Sequence, residues 1–472
     1  MKNKSKNNIY QPLDKSIIGA FNKQRIPGPK PFICYAAHSN MFFNARGSVS
    51  VCCESWNISE MYPDKSIKEI WFGDEFNKLR DYIEHDDLSL ACSFCKTHLL
   101  NRNYSFPLIK MFDCFEPVNS QYPKSMIFEL DITCNLECVM CDSTLSSAIR
   151  KNRGKLPLQK NFYNDEFLYQ LEEFIPHLER AMFIGGEPFL IDRYYKIWDL
   201  ILSMKPDIKI GITTNGTILN KKVKDILERG IFEINFSIDS LDKNTYETIR
   251  KHSNFERVME NLYFFHKYCK EKGTLFNLTA CPVRYNWMDI ADLVRFANEL
   301  DVPIYFNTVI HPYDVAIWSL ETPILEKIHD KISGVHFHGD SRNQKNNLHQ
   351  YNDFVQQVEC WIKKSMNRNE KKELKNFHDN AVERMENFLI KLRMYVLSHE
   401  SSGSEERDAR ANRLTVKLKR TVDKLPDEIW PYLFDEKLMD IPMEIVVNTL
   451  EYEDSDPITQ TATTMLYDNF ML

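Results

Sequence analysis

Three cysteines, Cys134, Cys138 and Cys141, follow directly on a predicted β-strand at residues 126–132. The strand is predicted because apolar side chains alternate with polar ones, the pattern of a half-buried strand. Three thiolates spaced C-x3-C-x2-C on one tight loop can hold three irons of a cubane cluster. Structural metal sites usually use cysteines in twos or fours, so the odd number indicates an iron left open for a ligand. A zinc loop or scattered buried thiols are the alternatives.

A second predicted strand, at residues 181–188, comes after a predicted helix at 165–178 and ends in Gly185, Gly186, Glu187 and Pro188. Two glycines at the end of a strand allow the backbone to approach a ligand closely. A proline then ends the strand pairing. The sequence therefore predicts a ligand-facing turn at this point.

Together, the cysteine spacing and the Gly-Gly-Glu motif resemble the radical S-adenosylmethionine (SAM) superfamily. The resemblance implies a [4Fe–4S] cluster held by Cys134, Cys138 and Cys141, with SAM chelating the open iron. It also implies that one electron, from a donor such as flavodoxin or ferredoxin, cleaves SAM to a 5′-deoxyadenosyl radical. That radical abstracts a hydrogen from the substrate, while the protein supplies orientation and excludes water.

The resemblance further implies which residues contact SAM. The loop from Gly185 to Pro188 is expected at its methionine end. Candidates for contacts with the ribose or the carboxylate are Asn215, Ser237 and Arg250. The alternative is that these three side chains serve turns, strand register or the surface.

Other polar side chains on the predicted strands could move a proton or a hydrogen atom. Candidates for a base that deprotonates the product radical are Glu129, Asp131 and Asp239. Candidates for a hydrogen donor are Tyr305 and Cys281. A carboxylate on a polar wall can instead serve only to bind substrate or to form hydrogen bonds.

A second group of cysteines lies in the N-terminal part of the chain. Twelve residues separate Cys34 from Gly47, four more separate Gly47 from Cys52, and Cys92 and Cys95 follow downstream. This pattern, with the amphipathic stretch at residues 66–83, resembles the SPASM/Twitch auxiliary domain of radical SAM enzymes. The resemblance implies that the four cysteines bind an auxiliary [4Fe–4S] cluster. A four-cysteine zinc site is the alternative.

This N-terminal module departs from the usual pattern in two respects. It precedes the predicted barrel, whereas in most SPASM enzymes it follows the barrel. Cys53 also stands next to Cys52, so only the family spacing favours Cys52 as the ligand. Three further thiols are predicted to be structural: Cys114, Cys269 and Cys360.

Residues 120–320 alternate between predicted strands and helices. Beyond the two strands above, strands are predicted at 208–215, 231–239, 275–281 and 303–309. Such repeats imply a parallel sheet with right-handed crossovers, and the resemblance implies a partial (β/α)6 barrel. One face of the strands carries Asn, Ser, Thr and carboxylates, which predicts an interior that holds a polar ligand.

The predicted domain organisation has four parts. Residues 1–30 are expected to be a poorly ordered lead-in, and 31–119 a SPASM/Twitch-like domain with a linker. Residues 120–320 would form the radical SAM core, and 321–472 a helical region rich in charge.

Net charge, apolar runs and cysteine content argue against several classes of protein. The 472 residues have a net charge of −7, which argues against general nucleic-acid binding. No run approaches the roughly 18 apolar residues of a membrane span. The polar N-terminus has no secretory signal, and twelve cysteines without one suggest metal binding rather than disulfides. We therefore expect a cytoplasmic protein without membrane contact.

Three functions agree with these patterns. The first is a radical SAM oxidoreductase that acts on a peptide or protein side chain, such as a maturase of a ribosomally made peptide. The second is a radical SAM enzyme that modifies a small metabolite, namely a sugar, amino acid or nucleotide derivative. The third, of another class, is a zinc-binding interaction protein on a degenerate barrel.

Overall fold

The computed structural model describes residues 10–25, 28–55, 59–102, 104, 108–115, 121–372, 377–398 and 404–422. The chain divides into two compact units. The first consists of Met1–Asn135, Gln159–Ile238 and Ser253–Leu278, and the second of Leu136–Leu158, Asp239–His252 and Thr279–Leu472. The domain boundaries predicted after residues 30, 119 and 320 stay predictions.

Strands and helices alternate along the part of the chain that the structure describes. The strands are β1 (Asn40–Phe43), β2 (Ser48–Ser50), β3 (Glu60–Met61), β4 (Ser125–Phe128), β5 (Arg180–Phe183), β6 (Lys209–Thr214), β7 (Ile231–Ser237), β8 (Phe276–Ala280) and β9 (Ile304–Phe306). The helices are α1 (Lys15–Asn22), α2 (Ala36–Ser39), α3 (Ile67–Trp71), α4 (Asp74–Glu84), α5 (Ser93–Leu100), α6 (Ser147–Asn152), α7 (Asp165–Leu171), α8 (Asp192–Met204), α9 (Lys221–Arg229), α10 (Lys243–Ile249), α11 (Phe255–Lys272), α12 (Ile290–Leu300), α13 (Thr322–Ser333), α14 (Arg342–Lys372), α15 (Phe377–Ser398) and α16 (Ser404–Val422).

The predicted fold class, a partial (β/α)6 barrel between a cysteine-rich module and a helical C-terminal region, is confirmed. Strands β4 to β9 each overlap one of the six predicted strand regions, and helices separate them. In β7, Phe232, Ile234 and Phe236 are buried and Asn235 and Ser237 half-buried, as the alternation predicts, whereas Glu233 is buried as well. Helices α13 to α16 follow, and residues 423–472 lie outside the described part. Among the described residues no helix is both long and apolar enough to cross a membrane.

The sheet of the first unit has the strand order β3-β2-β1-β4-β5-β6-β7-β8. Neighbouring strands from β4 to β7 pair in parallel. β1 also pairs in parallel with β4, with Asn40 opposite Ser125 and Phe43 opposite Phe128. β2 and β3 then add antiparallel strands beyond β1. The cysteine-rich segment therefore continues the same sheet, which the sequence pattern did not predict.

The lead-in that we expected to be poorly ordered is different in its described part. Residues 15–22 form α1, capped by Asp14, and Phe21 is completely buried. Arg25 is also buried and forms an ion pair with Asp113, in which its Nε donates to Oδ2 over 2.9 Å. A buried charge must be paired, so this contact orders the segment. Residues 1–9 and 26–27 lie outside the described residues.

Two predicted helices are interrupted. The stretch at 66–83 forms α3 and α4, separated by Gly73, where a Cβ would lie 2.4 Å from the carbonyl oxygen of Glu69. The stretch at 165–178 forms α7 and then a short 3-10 turn at Ile175–His177. Pro176 follows Ile175 and lacks the N–H that a continuing helix needs.

Trp198 on α8 is the centre of the apolar layer between helices and sheet in the first unit. Its ring lies 5.5 Å from that of Phe183, 5.9 Å from Phe189 and 5.8 Å from Phe232, measured between centroids, all edge to face. Its indole N–H is buried without a hydrogen-bond partner among the described residues. Trp198 therefore stabilises the sheet by burial and ring packing rather than by polar contacts.

Replacement of Trp198 by Ala should lower the free energy of unfolding by about 3–5 kcal/mol, since it leaves a large cavity between α8 and the sheet. Trp198→Phe is the matched control, and it should cost less than half as much because it keeps an aromatic ring and removes an unpaired donor. Urea unfolding followed by circular dichroism measures both. Equal losses in the two variants would contradict this account of the core.

Candidate functional site

The four N-terminal cysteines that the sequence singled out come together in the first unit. Burial raises the pKa of the Cys95 thiol, and negative charge on Cys34, Cys52 and Cys92 raises it further. Burial, Cys34 and Cys52 raise the pKa of Cys92 in the same way. Burial brings the pKa of Cys34 to about 12. Residues far apart in sequence therefore lie close enough for the charges of their thiols to influence one another.

The charge of Cys52 helps to raise the pKa values of Cys34, Cys92 and Cys95, which favours Cys52 over its exposed neighbour Cys53 as the fourth member of this group. Ser55 fixes the backbone at Cys52, because its hydroxyl donates to the Cys52 carbonyl over 3.0 Å and accepts from the Cys52 N–H over 3.1 Å. These two hydrogen bonds fix the backbone that carries the Cys52 side chain.

These four cysteines lie on or next to different secondary-structure elements. Cys34 precedes α2 and accepts a hydrogen bond at its sulfur from the Ala36 N–H over 3.4 Å. Cys92 is the N-cap of α5, and Cys95 lies in the first turn of that helix. Within the described ranges no group of three or more His, Cys, Asp or Glu side chains is arranged to hold a metal ion.

The first unit also holds the beginning of the C-x3-C-x2-C loop. The amide nitrogen of Asn215 donates to the Cys134 sulfur over 3.8 Å and to Asn135 Oδ1 over 3.2 Å. Thr217 donates to Asn215 Oδ1 from its backbone N–H (2.9 Å) and from its hydroxyl (2.7 Å), which fixes the amide orientation. Asn215, a predicted SAM contact, therefore lies beside the first cysteine of the loop.

The glycine turn after β5 presses against the backbone that leads into Cys134. Gly185 has φ +106°, and a Cβ there would lie 2.6 Å from the carbonyl oxygen of Asp131. At Gly186 a Cβ would lie only 2.3 Å from the carbonyl oxygen of Thr133. The Glu187 N–H donates to that same oxygen over 2.7 Å. Both positions require glycine because backbone occupies the space of a side chain.

Glu187 joins the ends of two strands. Its side chain is completely buried and accepts from the Thr214 hydroxyl (2.8 Å), the Asn215 N–H (2.7 Å) and the Phe189 N–H (3.2 Å). Pro188, also buried, opens the short 3-10 turn that contains Phe189. The Glu187 carboxylate thus locks the end of β5 to the end of β6 and holds Asn215 in place.

Two of the predicted bases lie on the segment after β4. Asp131 accepts hydrogen bonds from the Thr133 N–H and hydroxyl, each over 2.7 Å, so its carboxylate shapes the turn into Cys134. Glu129 is half-buried, and its negative charge helps to raise the pKa values of Tyr163 and Cys53. Ser237, a predicted SAM contact, is the half-buried last residue of β7.

The second unit contains the other two cysteines of the loop. A hydrogen bond from the Cys141 side chain lowers the pKa of Cys138, burial opposes this, and the positive charge of Arg250 lowers it further. The loop is tied to the end of α10, since the Val139 N–H donates to the Ile249 carbonyl over 2.9 Å. Cys138 is therefore buried in surroundings that favour its thiolate.

Arg250 and Asp239 form a buried ion pair next to Cys138. Arg250 Nε donates to Asp239 Oδ2 over 2.6 Å, and Asp239 is 0% exposed. The other oxygen of Asp239 accepts from the Cys281 N–H over 2.7 Å. Asn286, which the sequence reasoning missed, donates to the carbonyl oxygens of Asp239 (2.8 Å) and Cys281 (3.1 Å). Nothing in the sequence distinguishes Asn286 from an ordinary turn asparagine.

The two predicted hydrogen donors are both in the second unit. Burial, followed by the charge of Asp239, raises the pKa of the Cys281 thiol to about 12, so the thiol keeps its hydrogen at neutral pH. Tyr305 is the middle residue of β9 and is 39% exposed, with its pKa raised by burial. Each therefore retains the hydrogen atom that a donor must supply.

Comparison with known proteins supports the same interpretation. The model of the radical SAM superfamily matches residues 132–297, and the model of SPASM, an iron–sulfur cluster-binding domain, matches residues 34–96. Among curated proteins, the chain resembles GTP 3′,8-cyclase from Clostridium acetobutylicum, with 25% identity over 37% of this chain and 52% of that one. It also resembles molybdenum cofactor biosynthesis protein moc-5 from Caenorhabditis elegans, with 29% identity over 37% of this chain and 28% of that protein. The chain thus spans about half, or less, of the length of these curated relatives.

Solved structures give a weaker similarity. SuiB from Streptococcus suis bound to precursor peptide SuiA matches with a TM-score of 0.33 and 15% identity, over 56% of this chain and 51% of that chain. The anSMEcpe protein with bound AdoMet matches with a TM-score of 0.34 and 17% identity, over 44% of this chain and 59% of that chain.

The family matches confirm what the motifs predicted. A radical SAM domain implies a [4Fe–4S] cluster that binds SAM, and a SPASM domain implies an auxiliary iron–sulfur cluster. The SPASM match covers Cys34, Cys52, Cys92 and Cys95, and the radical SAM match covers Cys134, Cys138 and Cys141. Residues 132–297 therefore form a radical SAM domain, and a SPASM-type iron–sulfur domain at residues 34–96 precedes it.

Proposed function

We propose that this chain is an oxidoreductase that reductively cleaves SAM and abstracts a hydrogen atom from a peptide or protein side chain. The observation that carries the proposal is the presence of two separate cysteine groups, one of three and one of four, in two matched iron–sulfur domains. When bound, the cluster on the three-cysteine loop supplies the electron that breaks the sulfonium bond of SAM. The four N-terminal cysteines would hold a second cluster, which would supply an acceptor for the electron left when the substrate radical loses a proton, as an oxidation requires.

The side chains present fit these clusters. Hydrogen bonds to the sulfurs of Cys134 and Cys138 favour the thiolates that bind iron. In the N-terminal group, burial and then the charges of Cys34, Cys52 and Cys92 raise the pKa of Cys95. The positive charge of bound iron would offset both effects, because metal ions stabilise the thiolates that coordinate them. We assign Cys134, Cys138 and Cys141 to one cluster and Cys34, Cys52, Cys92 and Cys95 to the other.

Each unit contributes candidate residues for contacts with SAM. The turn of Gly185 and Gly186 leaves no room for side chains, and Asn215 presents a fixed amide beside Cys134. Arg250 supplies a buried positive charge near Cys138, suited to the SAM carboxylate. Glu187 positions Asn215 rather than binding SAM through its carboxylate, since three donors already occupy that group.

The polar side chains of the strands serve the substrate. The thiol of Cys281 and the hydroxyl of Tyr305 are candidate hydrogen donors. Glu129 is the candidate base, because Asp131 is committed to its turn and Asp239 to Arg250. A carboxylate that already neutralises a buried guanidinium would leave a buried charge unpaired if it took a proton.

A second candidate substrate class is a nucleotide or another small metabolite. The observation that favours it is the similarity to curated GTP 3′,8-cyclases, at 25–29% identity over 27–37% of this chain. The third interpretation, a zinc-binding interaction protein, disagrees with the matches to two iron–sulfur domains. We place the enzyme in the reducing cytoplasm, where thiols stay available for clusters and flavodoxin or ferredoxin supplies electrons.

Protein reconstituted anaerobically with iron and sulfide should convert SAM to 5′-deoxyadenosine when dithionite is added. The expected result follows from a cluster with one iron open to SAM, and mass spectrometry measures the product. The Cys134→Ala/Cys138→Ala/Cys141→Ala variant is the control and should form none. Absence of 5′-deoxyadenosine from the wild-type protein, with or without substrate, would refute the proposed function.

Iron content should separate the two cysteine groups. The triple variant should retain about half of the wild-type iron, which corresponds to the auxiliary cluster. Adding Cys52→Ser should remove most of the remainder, whereas adding Cys53→Ser should leave it nearly unchanged, because the charge of Cys52 acts on the other three cysteines. Iron and acid-labile sulfide analysis measures both. Equal loss in the two variants would exclude our assignment of Cys52.

Isotope transfer should identify the substrate class. Deuterated side chains of a precursor peptide encoded next to this gene should pass deuterium into 5′-deoxyadenosine, because the radical removes a hydrogen directly from the substrate. Ribose-deuterated GTP is the matched comparison and should transfer none. Deuterium from GTP but not from the peptide would replace the first substrate class with the second.

A further inference from the structure

The second unit carries a cluster of exposed positive side chains next to the cysteine loop. We define this basic patch as Lys151, Arg153, Lys155 and Lys251, all of which are exposed. Residues 150–155 read RKNRGK and 250–252 read RKH, with no acidic residue in either segment. The whole chain has a net charge of −7, so the patch is opposite in sign to the protein that carries it.

One residue of the basic patch, Arg153, forms a hydrogen bond with the backbone of Cys138. Arg153 Nη2 donates to the carbonyl oxygen of Cys138 over 3.2 Å and to that of Glu137 over 3.3 Å, while its side chain is 42% exposed. The Lys251 carbonyl accepts from the Glu137 N–H over 3.2 Å. A side chain in contact with solvent is therefore one hydrogen bond away from a residue that we assign as a cluster ligand.

Glu137 holds the two segments of the patch together. Its buried carboxylate accepts from Asn152 over 2.7 Å, lies 3.1 Å from His252 Nε2, and lies 3.4 Å from Arg153 Nε. Backbone hydrogen bonds from Gly154 to Ile149 (2.9 Å) and from Leu156 to Arg150 (3.0 Å) close the turn that carries the lysines. The positive charges therefore stand on an ordered surface, and Glu137 offsets only one of them.

We propose that the basic patch is the docking site for a small acidic electron-carrier protein of the ferredoxin type. In the transfer, one electron leaves the reduced carrier and arrives on the oxidised cluster held by Cys138, and no bond or proton changes place. The inference rests on the proposed function, because only a cluster that must be reduced needs such a partner.

Two further observations favour a protein partner. Positive side chains attract an acidic protein and raise its rate of association without tight binding, which suits repeated electron delivery. Leu158, four residues beyond Gly154, is 88% exposed and offers an apolar contact at the edge of the patch. Residues 149–158 and 249–254 contain no Phe, Tyr or Trp, the side chains on which single-stranded nucleic acids stack.

The test measures how fast the reconstituted holoenzyme takes an electron from a purified acidic [2Fe–2S] ferredoxin, by anaerobic stopped-flow absorbance. The patch variant is Lys151→Glu/Lys155→Glu/Lys251→Glu, which leaves Arg153 and Glu137 intact. The matched control is Lys78→Glu/Lys221→Glu/Lys270→Glu, three exposed lysines on α4, α9 and α11 with the same change of net charge. Dithionite provides a second reductant that needs no docking surface.

At low ionic strength the patch variant should react with ferredoxin about tenfold or more slowly than the wild type, and the control variant within about threefold of it. Salt should slow the wild type and have less effect on the patch variant. Reduction by dithionite, and the 5′-deoxyadenosine that it yields, should be the same in all three proteins, which shows that the cluster is intact.

Equal ferredoxin rates in the patch and control variants would overturn the inference. So would salt-sensitive binding of a labelled single-stranded RNA that is lost in the patch variant while the ferredoxin rates stay equal, because the patch would then serve nucleic acid. Failure of the proposed function has a different signature: dithionite reduces the cluster in the wild type but no 5′-deoxyadenosine appears.

Discussion

The completely buried carboxylate of Glu187 is the interaction on which the arrangement around Cys134 depends. A carboxylate group in the interior is tolerated only when hydrogen bonds replace its hydration. Thr214, Asn215 and Phe189 provide three such bonds. They come from the end of β6 and from the turn after β5, so the requirement to satisfy one buried side chain brings two strand ends to fixed positions. Asn215 then has its amide aimed at the Cys134 sulfur.

The glycine turn provides the space for this arrangement. Gly186 lies so close to the Thr133 carbonyl that any side chain would collide with backbone, which cannot move aside as a flexible side chain could. The next residue, Glu187, donates a hydrogen bond from its N–H to the same Thr133 carbonyl. In the Gly-Gly-Glu motif, the two glycines therefore allow the turn after β5 to approach the backbone before Cys134, and the N–H of Glu187 holds the two backbone segments together.

In the second unit, buried polar groups are also satisfied by partners that are buried with them, here as an ion pair. Arg250 and Asp239 are buried and satisfy one another, and Asp239 also accepts the Cys281 N–H. Arg250 places a positive charge near Cys138, while burial and then the charge of Asp239 raise the pKa of the Cys281 thiol. Nearer the surface, the buried carboxylate of Glu137 pairs with the exposed Arg153, and the neighbouring lysines face solvent. The first pair thus fixes the surroundings of Cys138 and Cys281, and the second orders the segment that carries the lysines.

The sequence by itself determined the two cysteine groups, the glycine turn and the six strands, because these features depend on spacing and period along a continuous stretch of chain. Tertiary structure decided which polar residues are available for chemistry. Asp239 is paired with Arg250, and no local pattern reveals that partner. Asp131 accepts instead from Thr133, two residues away, which is a local turn contact of the kind that aspartate commonly forms. Only the fold paired β1 with β4 and brought Arg153 to the Cys138 carbonyl. These longer-range contacts join residues that are separated in sequence, and their energies depend on distances that spacing along the chain does not contain.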